Sequence, residues 1–284
     1  MRRMGITLPR RAPEGKTLLF CSKYSRLRRG ISRSVLVFGT AALLSAGGLS
    51  GCTAESETTL TVLAASSLSS IFDSSNTELS DEFFATGSYP ENRLQFSFDG
   101  SQNLVSALAA GQPGDVLLTA NASTMEQAQE QGLVGDSTCF ATNELVLIVP
   151  ADNPEKITGI DDSLQGTDLV LCAPEVPCGQ ATAELLEYNN FEASPVSEEQ
   201  KVTDVVGKVE TGQADAGIVY ATDAQAAADT VIVFPIPNSK LFPNQYLAAP
   251  VIDGSSTGSA FVSWLLEEDV QQALTAAGFK TEGC

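Results

Sequence analysis

Residues 60–68 read LTVLAASSL. Leu60–Leu63 is a short apolar run of strand-forming residues, the pattern of a buried β-strand. It ends at Ala64-Ala65-Ser66-Ser67 and passes into Leu68, Ile71, Phe72, Leu79 and Phe83, which keep an approximate helical face. A strand that hands over to a helix through small hydroxyl residues leaves helix N–H groups unpaired at the strand's carboxyl end. The positive end of the helix dipole lies there too, so the turn suits a small anion.

The same handover recurs along the chain. Apolar, β-rich runs lie at Leu60–Leu63, Leu94–Phe98, Val116–Thr119, Glu144–Val149, Leu169–Cys172, Ala216–Tyr220, Val231–Phe234 and Tyr246–Ile252. Helical patterns lie between them, at 104–111, 181–188 and 204–210, and two amphipathic helices at 261–266 and 270–279 close the chain. This alternation predicts an α/β fold with mostly parallel sheets.

The chain has 284 residues and two unlike parts. Ten of its 16 Lys and Arg fall in the first 33 residues, and an apolar stretch from Val35 to Gly48 follows. A basic region, a short apolar run and small residues make a secretory signal, and the run is short for a membrane span. Leu49-Ser50-Gly51-Cys52 resembles the bacterial lipobox. That resemblance implies removal of residues 1–51, a lipid on Cys52, and a tether over 52–58. The remainder carries six basic and 34 acidic residues, a formal charge of −28. Such a surface excludes nucleic acid as a partner. The chain has no His, which removes His-based acid–base catalysis and His metal ligation.

Past the leader and Cys52 four cysteines remain: Cys139, Cys172, Cys178 and Cys284. An even set in an exported chain predicts disulfides, with three connectivities open. Cys172–Cys178, close in sequence around a Pro-rich turn, with Cys139–Cys284, is the favoured pairing; buried free thiols are the alternative.

Four junctions deliver small or hydroxyl residues to a helix start: 65–68, Asp99-Gly100-Ser101-Gln102-Asn103, Pro177-Cys178-Gly179-Gln180, and Thr203-Asp204-Val205-Val206. None of the six remaining basic residues falls in these turns. Taken singly each is unremarkable. Ser67 and Ser101 read as helix caps, Val205 as core, and Tyr220 as a strand-end aromatic. The order and spacing of the set carry the argument.

That set resembles the molybdate-binding proteins of bacterial ABC transporters. The resemblance rests on TVLAASSL, FDGSQNLVSALAAGQPGDVLLTAN, ELVLIVP, APEVPCG, TDVVGKVETGQADAGIVY and a closing AAGF, and spans nearly all of residues 59–279. It implies a type II periplasmic-binding-protein fold, with two α/β lobes joined by two crossing strands. The crossings fall at Glu144–Pro150 and Tyr246–Ile252, giving one lobe at 59–142 plus 247–284 and the other at 143–246. It also implies an extracytoplasmic, monomeric, lipid-anchored receptor that delivers molybdate or tungstate to a transporter permease, without a cofactor. The family's oxyanion contacts carry over to the hydroxyls of Ser67, Ser101 and Tyr220 and to backbone N–H groups at Cys178 and Val205. Relatives commonly have Ala where Cys178 stands, and often a small neutral residue where Asp99 stands. Asp99 is therefore expected to face solvent or a neutral partner.

A site of hydroxyls and amides, with no acceptor, favours an anion that carries no proton. Molybdate, tungstate and sulfate meet that condition near neutral pH; phosphate does not. A receptor for sulfate or another tetrahedral oxyanion is the nearest alternative. A secreted hydrolase with Ser67 as nucleophile lacks both a Gly-x-Ser-x-Gly elbow and an activating His. The chain is thus read as a non-enzyme.

Overall fold

The computed structural model describes residues 59–72, 77–85, 87 and 93–284. The leader, the tether and the lipidation site at Cys52 lie outside the described residues. Among those described, no helix is long and apolar enough to cross a membrane.

The first lobe grows around β1 (Thr59–Ala65). Leu60, Val62 and Ala64 pack with Phe83, Phe261 and Trp264 on one face, whereas Leu63 packs with Leu104, Leu108 and Met125 on the other. β2 (Arg93–Asp99) and β3 (Val116–Thr119) flank β1 in parallel. A strand covered on both faces tolerates few polar residues, which explains the unbroken apolar run at 62–65. Each fully buried Leu or Val side chain adds about 1.5–3 kcal/mol. β4 (Thr138–Asn143) lies at the far edge of the same sheet. Helices α1 (Ser69–Phe72), α2 (Thr77–Ala85), α3 (Ser101–Ala109) and α4 (Ala122–Glu130) fill the connections between these strands.

The second lobe holds β5 (Leu145–Pro150), β6 (Leu169–Cys172), β7 (Ser197–Glu199), β8 (Ala216–Tyr220) and β9 (Val231–Pro235), in the spatial order β7-β6-β8-β5-β9. Its helices are α5 (Pro177–Tyr188), α6 (Val202–Glu210) and α7 (Ala221–Ala226). Val205 and Val209 of α6 pack with Val170, Ile218 and Val219 in its core. β10 (Asn244–Pro250) then completes the first sheet, order β2-β1-β3-β10-β4, and α8 (Thr257–Trp264) and α9 (Glu268–Ala276) finish the chain.

Both sheets are mixed rather than mostly parallel. β10 runs antiparallel to β3 and β4, and β5 runs antiparallel to β8 and β9. These strands enter their sheet directly from the other lobe. No helical crossover turns the chain round, as parallel pairing requires.

The chain leaves the first sheet at Glu144, between β4 and β5, and returns to it at Asn244. Asn143 and residues 244–246 thus lie in the first sheet, although the sequence reading put them in the second lobe. Pairing partners decide membership here, and Asn244 sits opposite Asn143 in the β10–β4 ladder. Among the described residues, two disulfides tie the chain. Cys139–Cys284 fastens the carboxyl end to β4, and Cys172–Cys178 joins the end of β6 to the start of α5, with Cα separations of 5.4 and 5.7 Å.

Candidate functional site

Four helical starts meet at one cavity. The residues that precede them are Ala65 before the 3-10 turn Ser66–Leu68, Gly100 before α3, Val176 before α5, and Lys201 before α6. All four line the cavity. None of these starts is capped by a side chain. The contrast is α4, whose Thr124 N–H is taken by the Asn121 carboxamide at 3.2 Å. First-turn N–H groups have no partner inside their own helix. With no cap, they and the converging dipoles are left to whatever occupies the cavity.

The cavity is small, with about 20 Å³ of room for the centre of a water-sized sphere. A single water needs roughly 10–15 Å³ on that measure, so the guest is a compact one. No Asp or Glu lines it.

Four buried hydroxyl residues complete the lining: Ser66, Ser67, Ser101 and Tyr220. Ser101 Oγ accepts from the Ala120 N–H at 3.1 Å. Tyr220 Oη accepts from Asn244 Nδ2 at 2.7 Å. Ser67 Oγ is 2.9 Å from the hydroxyl of Tyr246. Burial, with the nearby Tyr246 and Asp223, pushes the Tyr220 phenol well above its ordinary value, so it stays a donor. The Tyr246 phenol is raised as well, first by burial and then by Asp223. It therefore cannot act as a base toward Ser67.

Of the five contact positions read from the sequence, Ser67, Ser101, Cys178 and Tyr220 line the cavity together. Val205 does not. It lies one turn inside α6, fully buried, and a Cβ at Gly217 would come within 2.7 Å of its Cγ1. The open first turn of α6 begins at Val202, which does line the cavity. The apolar stripe Val202, Val205, Val209 held this signal, because it starts at Val202 and not at Val205. The earlier start also brings in Lys201, so a basic residue does stand at one of the four turns. Asp99 is not among the lining residues; its Oδ1 accepts from Gly100 N–H at 2.8 Å and Asn103 Nδ2 at 3.1 Å, both neutral partners.

Across the two lobes, Gln180 Oε1 of α5 accepts from Asn121 Nδ2 at 2.8 Å and Ser123 Oγ at 3.0 Å. Asn143, Asn244 and Tyr246 were not visible as site residues, because only folding brings them behind the hydroxyls. Among the described residues, no cluster of His, Cys, Asp or Glu could hold a metal ion.

Two lobes around a small cleft lined by helix starts define a solute-binding protein. The chain belongs to the bacterial extracellular solute-binding protein family, whose sequence model matches residues 60–280, and among these to the molybdate-binding proteins. The molybdate-binding protein ModA of Mycobacterium tuberculosis H37Rv is 37% identical over 224 residues, covering 78% of this chain and 84% of that one. The putative ABC transporter substrate-binding lipoprotein YvgL of Bacillus subtilis is 26% identical over 254 residues, 86% of this chain and 95% of that one. In fold, the periplasmic molybdate-binding protein of Azotobacter vinelandii superposes with a TM-score of 0.64 at 19% identity, covering 78% of this chain and 98% of that chain.

Proposed function

We propose that this chain is an extracytoplasmic receptor that captures molybdate, and tungstate with it, and hands the ion to an ABC transporter permease. The carrying observation is the set of four uncapped helix starts and four buried hydroxyl residues around a compact cavity free of carboxylates. The ion's ligands in this reading are the hydroxyls of Ser67, Ser101 and Tyr220 and backbone N–H groups that include Cys178. At α6 the donor is Val202, where the sequence reading put Val205. Kinship to molybdate-binding proteins supports the choice of ion.

The energetics close without an ion pair inside the site. A hydrogen bond to a charged acceptor gives about 1.5–3 kcal/mol. Some seven of them exceed the roughly 8 kcal/mol of a micromolar complex after several kcal/mol of association and desolvation costs. At physiological ionic strength the acidic surface is screened beyond about 8 Å, so near dipoles outweigh distant like charge. Ser67 has no base behind it, which supports a binding role rather than hydrolysis.

In this reading the chain acts as a monomer, held to the membrane by a lipid on Cys52, as the lipobox-like LSGC and the lipoprotein relative both suggest. Mass spectrometry of membrane extracts checks the lipid. Thermal melting with molybdate, tungstate, sulfate and phosphate tests the ligand, since a ligand that binds only the native state raises the transition. Molybdate and tungstate are expected to raise it, and phosphate to leave it unchanged. A shift with sulfate alone would make the chain a sulfate receptor, and no shift with any of the four would end the oxyanion reading.

A further inference from the structure

The hydroxyls in the cavity do not choose their own proton directions; two asparagines behind them do. Asn244, the first residue of β10, is buried, and its Nδ2 donates to Tyr220 Oη at 2.7 Å and to the Ala120 carbonyl at 3.0 Å. A carbonyl can only accept, so the amide of Asn244 is locked with its NH₂ toward both. Tyr220 therefore receives a hydrogen bond from behind, and its own proton is free to point into the cavity. The Asn244 Oδ1 is buried without a partner. A buried acceptor left unmade costs stability, which a merely structural asparagine would have no reason to bear.

Asn143, opposite Asn244 in the β4–β10 ladder, acts in the same sense. Its Oδ1 accepts from the Glu144 N–H at 2.9 Å, which fixes the amide. Its Nδ2 donates to Thr222 Oγ1 at 2.7 Å and, at 3.4 Å, faces Tyr246 Oη. A Tyr246 oxygen facing a donor turns its own proton toward Ser67 Oγ, 2.9 Å away, and so frees the Ser67 proton for the cavity. Ser101 is oriented likewise by the Ala120 N–H, which only donates.

We infer that Asn244 and Asn143 are specificity-determining positioning residues, which hold the Tyr220 and Ser67 hydroxyls as donors and so select against oxyanions that carry a proton. This rests on the oxyanion-receptor reading above. A protonated oxyanion must donate to something, and the Ser67, Ser101 and Tyr220 oxygens are already engaged from behind the cavity.

The test uses the chain from residue 52 onward, with Asn244→Asp, Asn244→Leu and Asn143→Leu. Molybdate affinity is read by titration calorimetry near neutral pH, and phosphate affinity by competition with molybdate. In Asn244→Asp the new carboxylate accepts the Tyr220 proton and draws it away from the cavity. Molybdate affinity is expected to fall about 10- to 100-fold. Phosphate should fall less, so that the molybdate-to-phosphate ratio drops at least about tenfold. Added negative charge repels molybdate more than the partly monoanionic phosphate, so the neutral Leu variants, which add no charge, isolate the proton direction. The two Leu variants are expected to lower the ratio in the same direction. A parallel fall for both anions, or unchanged affinities, would overturn the inference while leaving the receptor reading intact. A parent protein that binds no oxyanion would overturn both. Circular-dichroism melting confirms folding, and Asn143→Leu keeps the test alive if the Asn244 variants fail to fold.

Discussion

Gly100, which opens α3 in the first lobe, lies directly against the carbonyl of Gln200 in the second: a Cβ at Gly100 would come within 2.3 Å of that oxygen. The backbone at Gly100 is unstrained, with φ −59°, so space alone demands the glycine. The contact joins two of the four helix starts that line the cavity. Gly100→Ala should therefore hold the lobes apart and weaken molybdate binding, by about tenfold or more for a loss of some 1.4 kcal/mol. Calorimetry would read the affinity. Small-angle scattering at saturating molybdate should show a less compact particle than the parent. Equal compactness and equal affinity would refute the role given to this contact.

The hydroxyl donors can be removed one at a time. Ser67→Ala and Ser101→Ala should each cost about 1–3 kcal/mol of molybdate binding, because each deletes a hydrogen bond to a charged acceptor. Both side chains are buried, so melting of the free protein serves as a control for packing damage. If calorimetry finds parental affinity in both variants, the donor assignment is wrong.

Asp223 links the site to pH. Burial pushes its carboxyl up to about 8, despite the Tyr220 N–H that favours the charged form, and its Oδ2 has no partner. Below the unfolded value of an Asp, about 3.9, both states are protonated and the group contributes nothing. Between there and the folded value the unfolded chain has lost the proton and the native protein has kept it. Native stability therefore falls with rising pH, by up to about 1.4 kcal/mol per unit across this window, and levels off above it. Asp223→Asn should remove that slope, so its advantage over the parent grows from near pH 4 to near pH 8. Denaturant titrations at both ends of the window decide it; a constant difference would mean that Asp223 is not held neutral.

The two disulfides should separate stability from binding. Cys139–Cys284 closes a span of 145 residues, and neither cysteine lines the cavity. Its loss, as in Cys284→Ser, should cost about 2–5 kcal/mol of stability through the freed chain entropy and leave affinity unchanged. Cys172–Cys178 spans only six residues, but Cys178 lines the cavity at the first turn of α5. Replacing both of its cysteines with Ser should lower affinity more than it lowers the melting temperature. The opposite pattern in paired melting and calorimetry would remove the link between this bridge and the site.

Much of the architecture was legible because it is written in short windows. The eight apolar runs all became strands; the central ones, such as β1, β3 and β8, are apolar along most of their length because both faces are covered. Two strands and two helices escaped notice. β4 (TCFATN) and β7 (SEE) are sheet-edge strands with polar sequences, so neither shows an apolar run. α4 carries mostly polar residues, and α7 has only six residues. The expectation of mostly parallel sheets did not foresee the antiparallel pairing of β5 and β10, because strand polarity depends on how the chain arrives, not on side-chain pattern.

The candidate site divides along the same line. Local composition determined where the chain offers helix starts with small or hydroxyl residues, because an N-terminal turn is a property of a few consecutive residues; Ser67, Ser101, Cys178 and Tyr220 were singled out by the family resemblance of the whole set. Tertiary structure alone decided that Val202 rather than Val205 lines the cavity, that Lys201 lines it too, and that Asn143, Asn244 and Tyr246 back the hydroxyls. Those facts depend on contacts between residues as far apart as Ser67 and Tyr246, 179 positions along the chain. A hydrogen bond across such a distance leaves no local trace, because it is set by which strands the sheet brings side by side and not by the residues beside either partner.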